Sequence, residues 1–326
     1  MGLISIIFVI LALCHSSNSY GVEPKPFIMS HRGLYQTYHR RDITTETCTA
    51  ERIDAPVHGY LENTIPSMAR AFELGAFAVE LDVHATVDGK IVVFHDWTLE
   101  CRTNGSGKTE EQTFEYLRSL DIGYGYTHDD HRSHPFRCVE DSVDYEACRL
   151  RNRMPTLREV FRALPKNRFV INMKSKNPRT LDAIINELKE LSSDFDLSLL
   201  SFYVNHPPTN ATLAQALPMI KVPKFTLPQA KVCIEEFLVD GTFSSQCRDG
   251  VLGIPYEELV LLGEKAKGLI LAVKNTGSEF WVLRVDTAEA YDYVRSLDVD
   301  GIWTDRIDII GPRRARSKTD EKIPSL

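Results

Sequence analysis

Phe77-Ala78-Val79-Glu80-Leu81-Asp82-Val83 is the stretch on which the fold reading turns. It is short and mostly apolar, as a buried strand is, yet it carries two carboxylates. Residues two apart on a strand project from the same face, so Glu80 and Asp82 stand side by side. Burying both without a nearby cation is costly, which marks the run as more than packing. Upstream, Asn63 to Leu74 reads as a helix: Pro66 falls in its first turn, Met68, Ala71, Phe72 and Leu74 follow, and Gly75 ends it. Downstream, the Asp88-Gly89 turn signal leads into a second strand from Lys90 to Phe94. The same alternation extends in both directions. Pro26 to Met29 is the first strand, Thr156 to Leu164 a helix, Phe169 to Met173 a strand and Thr180 to Leu191 a helix. Leu197 to Val204, Gly250 to Ile254, Leu269 to Val273 and Gly301 to Trp303 are further strands, with helices between them. Strand–helix units over about 280 residues predict an α/β fold of the closed (β/α)8 TIM-barrel type. An open doubly wound sheet is the runner-up, but no Gly-x-Gly-x-x-Gly follows the first strand.

Composition narrows the function classes. The chain has 326 residues, 43% hydrophobic and 25% charged, which excludes collagenous and disordered proteins. Its net charge of −7 comes from 38 Lys and Arg against 45 Asp and Glu. Residues 1–19 carry no charged side chain, and residues 311–326 carry five basic and two acidic ones, so residues 20–310 hold −10. That body argues against a nucleic-acid partner. Leu3 to Cys14 is an apolar run of twelve residues, too short to span a bilayer, where about 20 are needed. With the polar stretch His15 to Ser19 it predicts a signal peptide over residues 1–19, cleaved before Tyr20, and hence secretion. Residues 20–310 then form the barrel and residues 311–326 a basic disordered tail. No later segment reads as a transmembrane span. Six cysteines remain after Cys14 leaves, an even number that suits an exported, disulfide-bonded chain. Six allow 15 pairings. Proximity favours Cys138–Cys148 and Cys233–Cys247, leaving Cys48–Cys101. No cysteine spacing suits zinc.

Polar residues cluster after the strands. His31-Arg32-Gly33 follows the first, His95-Asp96 follows Val93-Phe94, Asn172, Lys174 and Lys176 alternate at the end of another, and Trp303, Thr304 and Asp305 follow the last. In a parallel barrel these positions converge on the carboxyl-end face, where reactive groups are found. Each one alone is commonly structural; their combination points to catalysis.

In order along the chain, His31-Arg32-Gly33, Glu62-Asn63-Thr64, Glu80-Leu81-Asp82-Val83, Asp88-Gly89, Val93-Phe94-His95-Asp96, Arg102-Thr103, Met154-Pro155-Thr156-Leu157 and Asp300-Gly301-Ile302-Trp303-Thr304-Asp305 resemble the signature of glycerophosphodiester phosphodiesterases. The resemblance runs from about residue 27 to 310, strongest before residue 180 and thin from 205 to 295. It implies a barrel of the PLC-like phosphodiesterase type, a divalent cation (usually Ca²⁺ or Mg²⁺), and hydrolysis of glycerol-linked phosphodiesters into glycerol phosphate and an alcohol. It places the two catalytic histidines on His31 and His95, two metal carboxylates on Glu80 and Asp82, and a phosphate-contacting arginine on Arg32. Lys176 falls on the family's lysine. Glu62 reads as an orienting partner for Arg32 or a catalytic histidine, and Trp303 as a pocket residue.

One position departs from that signature. The family's third metal carboxylate falls on Lys174, and a protonated ammonium cannot ligate a cation. Nearby, it repels a divalent ion by about 4 kcal/mol per unit charge at 4 Å and an effective dielectric of 20. Three readings follow. The ion keeps Glu80, Asp82, waters and substrate oxygens while Lys174 turns aside to the phosphate; or Lys174 replaces the ion's charge; or the barrel binds phosphodiesters without turning them over. The expected partner is a small phosphodiester or lysophospholipid, with peripheral membrane contact allowed. A sphingomyelinase-D-like or phospholipase-D-like lyase or transferase is the second enzymatic reading. The loops from Gln36 to Tyr60 and Tyr124 to Arg153 are candidates to shape its lipid pocket.

Overall fold

The protein is represented by a computed structural model that describes residues 25–44, 46–175, 178–203, 207–222 and 227–312. The predicted signal peptide, Lys176 and nearly all of the basic tail lie outside the described residues.

The strands are β1 (Phe27–His31), β2 (Ala78–Ala85), β3 (Ile91–Val93), β4 (Arg168–Met173), β5 (Leu200–Tyr203), β6 (Val251–Pro255), β7 (Glu279–Leu283) and β8 (Gly301–Thr304). All but β3 run parallel, in the order β5-β4-β2-β1-β8-β7-β6. Beyond β5 the next stave is a single parallel bridge, Ser201 with Lys221. It is tied by Phe202 N–H to Lys221 O at 2.9 Å and Lys221 N–H to Leu200 O at 3.2 Å. Counting it, eight staves alternate with helices, the (β/α)8 barrel expected from the sequence. Among the described residues no ladder joins the Lys221 stave to β6.

The pleat of β2 explains the fold and the site together. Val79, Leu81, Val83 and Ala85 belong to the main apolar core, packed beneath the helical layer. Glu80, Asp82 and His84 alternate with them, face the barrel axis and are fully buried. Register then sets the neighbours: His31 stands opposite Glu80 across β1–β2, and Asn172 stands opposite Asp82 across β2–β4.

The Asp88-Gly89 turn reverses the chain, and β3 returns antiparallel on the last three residues of β2. Phe94 N–H donates to Asp82 O at 3.0 Å, which carries His95 back to the mouth. Val92 and Phe94 anchor a second apolar cluster with Ala50, Ile53, Leu61, Tyr126 and Phe136. The two long loops read from the sequence as pocket material are thus packed on each other and on β3. Disulfide Cys48–Cys101 pins the first loop, and Cys138–Cys148 and Cys233–Cys247 complete the pairing expected from proximity.

Leu269 to Val273 is helical, lying inside Lys265–Asn275, where a strand was expected. Ala266, Leu269, Ile270 and Val273 are its buried residues, a helical i, i+3, i+4, i+7 stripe that a five-residue apolar run conceals. The strand sits at β7, whose Phe280 and Val282 are fully buried while Glu279 is exposed.

Candidate active site

The β1 exit turn is built for close approach. Arg32 and Gly33 both adopt left-handed backbone, at φ 56° and 83°. A Cβ on Gly33 would lie 2.6 Å from Ser67 Oγ and 2.9 Å from Met68 N, so only glycine fits. Asn63 is also left-handed, and its N–H donates to Arg32 O at 3.0 Å. Thr64 then caps helix Ile65–Glu73, accepting from Ser67 N–H. Two tight turns therefore bring Arg32, Glu62 and Asn63 against the end of β2.

Asp82 is the hub. Its Oδ2 accepts from Asn63 Nδ2 at 2.9 Å and lies 3.2 Å from Arg32 Nε; its Oδ1 accepts from Asn172 Nδ2 at 3.0 Å and lies 3.5 Å from Lys174 Nζ. Burial works against its charge, but Arg32, His95 and Lys174 outweigh it and hold the carboxyl well below the usual range. Glu80 is the opposite case. Among the described residues neither of its buried oxygens has a hydrogen-bond partner, and His31 Nε2 is 3.8 Å from Oε2. Burial, reinforced by the charge of Asp82, pushes its pKa up.

Each histidine rests on a carboxylate of its own. His31 Nδ1 is 2.7 Å from Asp305 Oδ1, and His95 Nδ1 is 2.6 Å from Asp96 Oδ1. Arg32 Nε donates to His31 Nε2 at 3.1 Å, so that nitrogen holds a lone pair and Nδ1 the proton. Burial first, and Arg32 second, push both imidazoles down to about 4, leaving them neutral near pH 7. The supporting carboxylates are themselves held, Asp305 by Arg40 and Asp96 by Arg102. Glu62 links the two halves, accepting from Arg32 Nη1 at 3.0 Å and Arg102 Nη2 at 3.3 Å. Glu62, expected to orient Arg32 or a catalytic histidine, contacts Arg32 directly. Trp303 lies beside His31, ring centres 5.2 Å apart, and beside Tyr203 at 5.5 Å.

Sequence reading placed no site role on Asp305, Asp96, Arg102 or His84. The first two carried a signal, since each directly follows a strand-end residue already singled out. His84 donates from Nε2 to His95 O at 3.4 Å and faces Glu110 from Nδ1 at 3.3 Å, a tie between β2 and the His95 loop that no local pattern announces.

The divalent cation implied by the resemblance is a demanding guest here. Among the described residues no three His, Cys, Asp or Glu side chains are grouped to hold a metal ion. Both oxygens of Asp82 are engaged, leaving the orphaned Glu80 as the one uncommitted carboxylate of the pair.

Residues 31–212, more than half of the chain, match the Glycerophosphoryl diester phosphodiesterase family. The chain belongs to this family. It is 33% identical over 150 residues to a glycerophosphodiester phosphodiesterase of Caldanaerobacter subterraneus subsp. tengcongensis, a match covering 44% of this chain and 53% of that protein. The chain thus spans about half the length of that relative. In three dimensions it resembles the glycerophosphoryl diester phosphodiesterase domain of a Mycobacterium tuberculosis protein, with TM-score 0.65 at 16% identity, covering 90% of this chain and 100% of that one. A phosphodiesterase of Oleispira antarctica, solved with its product sn-glycerol-3-phosphate, superposes with TM-score 0.56 at 17% identity, covering 88% and 96%. At these identities the structural likenesses speak for the barrel. The family match spans the stretch that contains His31, Glu62, Glu80, Asp82 and His95.

Proposed function

We propose that the chain hydrolyses small glycerophosphodiesters, releasing glycerol phosphate and an alcohol, with His31 and His95 as the proton-transfer pair. The observation carrying this reading is the matched dyads: two partly buried imidazoles, each with Nδ1 on a carboxylate, and with Nε2 of His31 turned to the Arg32 guanidinium. A phosphodiester resists attack because its anion repels nucleophiles and its alkoxide leaves poorly. Arg32 offers the fork geometry that suits a phosphoryl group, and its positive charge neutralises the anion. In the first step a neighbouring substrate hydroxyl gives its proton to one histidine as its oxygen bonds to phosphorus. The other histidine, which takes up a proton at Nε2 when the anionic substrate enters, gives that proton to the leaving oxygen as its bond to phosphorus breaks. In the second step water opens the cyclic phosphate, with the two histidines exchanging roles. The orphaned oxygens of Glu80, facing the barrel axis, are suited to accept a substrate hydroxyl.

The loops read as candidates for a lipid pocket lend Ala50, Ile53, Tyr126 and Phe136 to the second core, which favours the small-substrate reading. Secretion belongs to the same reading and is supported by the three disulfides, which form in oxidising compartments. None of the described helices is long and apolar enough to cross a membrane.

The test is product analysis on a glycerophosphodiester with the wild-type chain, His31→Ala and His95→Ala. Release of glycerol phosphate by the wild type, and a fall of roughly 10²–10⁴-fold for each variant with the fold intact, is expected. Near-normal turnover by both variants defeats the assignment.

A further inference from the structure

Replacing a carboxylate by an ammonium changes local charge by two units, the charge of a divalent ion. Three carboxylates around such an ion sum to one net negative charge; Glu80, Asp82 and Lys174 sum to the same without any ion. The geometry agrees with that arithmetic. Lys174 does not turn aside: its Nζ lies 3.5 Å from Asp82 Oδ1, and its side chain is only 16% exposed. An ion bound to that oxygen sits about 2.0–2.6 Å from it. It would therefore stand within about 6 Å of the ammonium in any direction. The other oxygen of Asp82 already takes Asn63 and faces Arg32.

We propose that Lys174 occupies the electrostatic place of the divalent cation, so that the pocket draws its positive charge from Lys174 and Arg32 and binds no resident metal. This rests on the phosphodiesterase reading for its catalytic consequence, but not for its prediction about metal binding. Lys174 acts here on the phosphoryl anion together with the Arg32 guanidinium, Asp82 meeting one cation at each of its oxygens.

The experiment has a binding arm and a turnover arm. Calorimetric titration of Ca²⁺ and Mg²⁺ into the wild-type chain is expected to show no saturable site below millimolar concentration, whereas Lys174→Glu, which restores a third carboxylate, gains one. Wild-type turnover of a glycerophosphodiester is expected to be equal with and without EDTA. Lys174→Gln, which removes charge without adding a ligand, is expected to lose about 10²-fold in kcat/KM. Tight wild-type binding of either ion, or turnover lost in EDTA and restored by the ion, overturns the proposal. So does a Lys174→Glu protein that folds and binds no metal, or full activity in Lys174→Gln. A wild type inactive under every condition defeats the phosphodiesterase reading instead, and the calorimetric arm still decides the question of the metal.

Discussion

Changing Asp305 or Asp96 to Asn asks which histidine starts as the base. Asn keeps the shape of the side chain but removes its charge and presents an NH₂ group to the imidazole. In the native site Nδ1 carries the proton and faces the carboxylate at 2.7 Å for His31 and 2.6 Å for His95, leaving Nε2 as an acceptor. An Asn that donates to Nδ1 inverts the tautomer and puts the proton on Nε2. The base loses its lone pair, and with it the carboxylate that stabilises the imidazolium formed in the transition state. With charge centres roughly 4 Å apart and an effective dielectric of 20, that stabilisation is about 4 kcal/mol, or about 10³ in rate. The histidine that starts as the acid keeps an Nε2 proton in the variant, so its loss is expected to be about tenfold. One of Asp305→Asn and Asp96→Asn is therefore expected to fall about a hundredfold further in kcat/KM than the other. The assay is glycerol phosphate release, with thermal melting as the fold control. Asp305 also loses Arg40, but that guanidinium is 42% exposed and the pair contributes little to stability. If both folded variants stay within about threefold of wild type, the carboxylates do not serve the imidazoles and the dyad reasoning fails.

Three further outcomes concern stability. His31 and His95 are pushed from 6.5 down to about 4, so the unfolded chain binds more protons between those values. Their contribution to stability is therefore expected to rise with pH across that window and to be lost on acidification through it. Glu80 has the opposite sign, its raised pKa penalising the folded state as pH rises. Glu80→Gln should melt a few degrees higher than wild type at pH 8, with the gain vanishing in acid, while activity is lost; a gain independent of pH contradicts this account of Glu80. Disulfide Cys48–Cys101 spans 53 residues of sequence and lies between the Thr49 hydroxyl and Arg102, which share a hydrogen bond of 2.7 Å. Removing both cysteines should lower unfolding free energy by about 4 kcal/mol in chemical denaturation and loosen Arg102, and an unchanged midpoint refutes it.

The barrel was legible because its strands carry strong local signals: β2 shows apolar residues on one face and carboxylates on the other, and the Asp88-Gly89 turn announces β3. Leu269 to Val273 misled because a short apolar run has no period of its own, and only the flanking Lys265 to Asn275 shows the helical stripe. The single-bridge stave at Lys221 was unreadable for a related reason, having too few residues to alternate. At the candidate site, His31 and His95 were singled out because each closes an apolar strand run, and Glu80 and Asp82 because two carboxylates interrupt one. The supporting layer was not, because Arg102 reaches Glu62 and Asp96 through folding of a loop, and His84 reaches the His95 carbonyl across a hairpin. Such contacts depend on three-dimensional closure, which spacing alone does not encode.

Glu80 shows why the site cannot be read as packing. Every other carboxylate of the central cluster is paired: Glu62 between Arg32 and Arg102, Asp82 among Arg32, Asn63, Asn172 and Lys174, and Asp96 against Arg102 and His95. That pairing is what a buried acid needs to remain stable. Glu80 lies on the same strand as Asp82, fully buried, with His31 Nε2 at 3.8 Å and no hydrogen-bond partner for either oxygen among the described residues. A neutral Gln or an apolar residue would fold more easily there, so stability alone gives no reason for a carboxylate. The proposed function supplies one: a substrate hydroxyl that donates to it, next to a phosphoryl group held by Arg32 and Lys174. On the proposed reading, Glu80 holds the polyol end of the substrate and the two cations hold its anion.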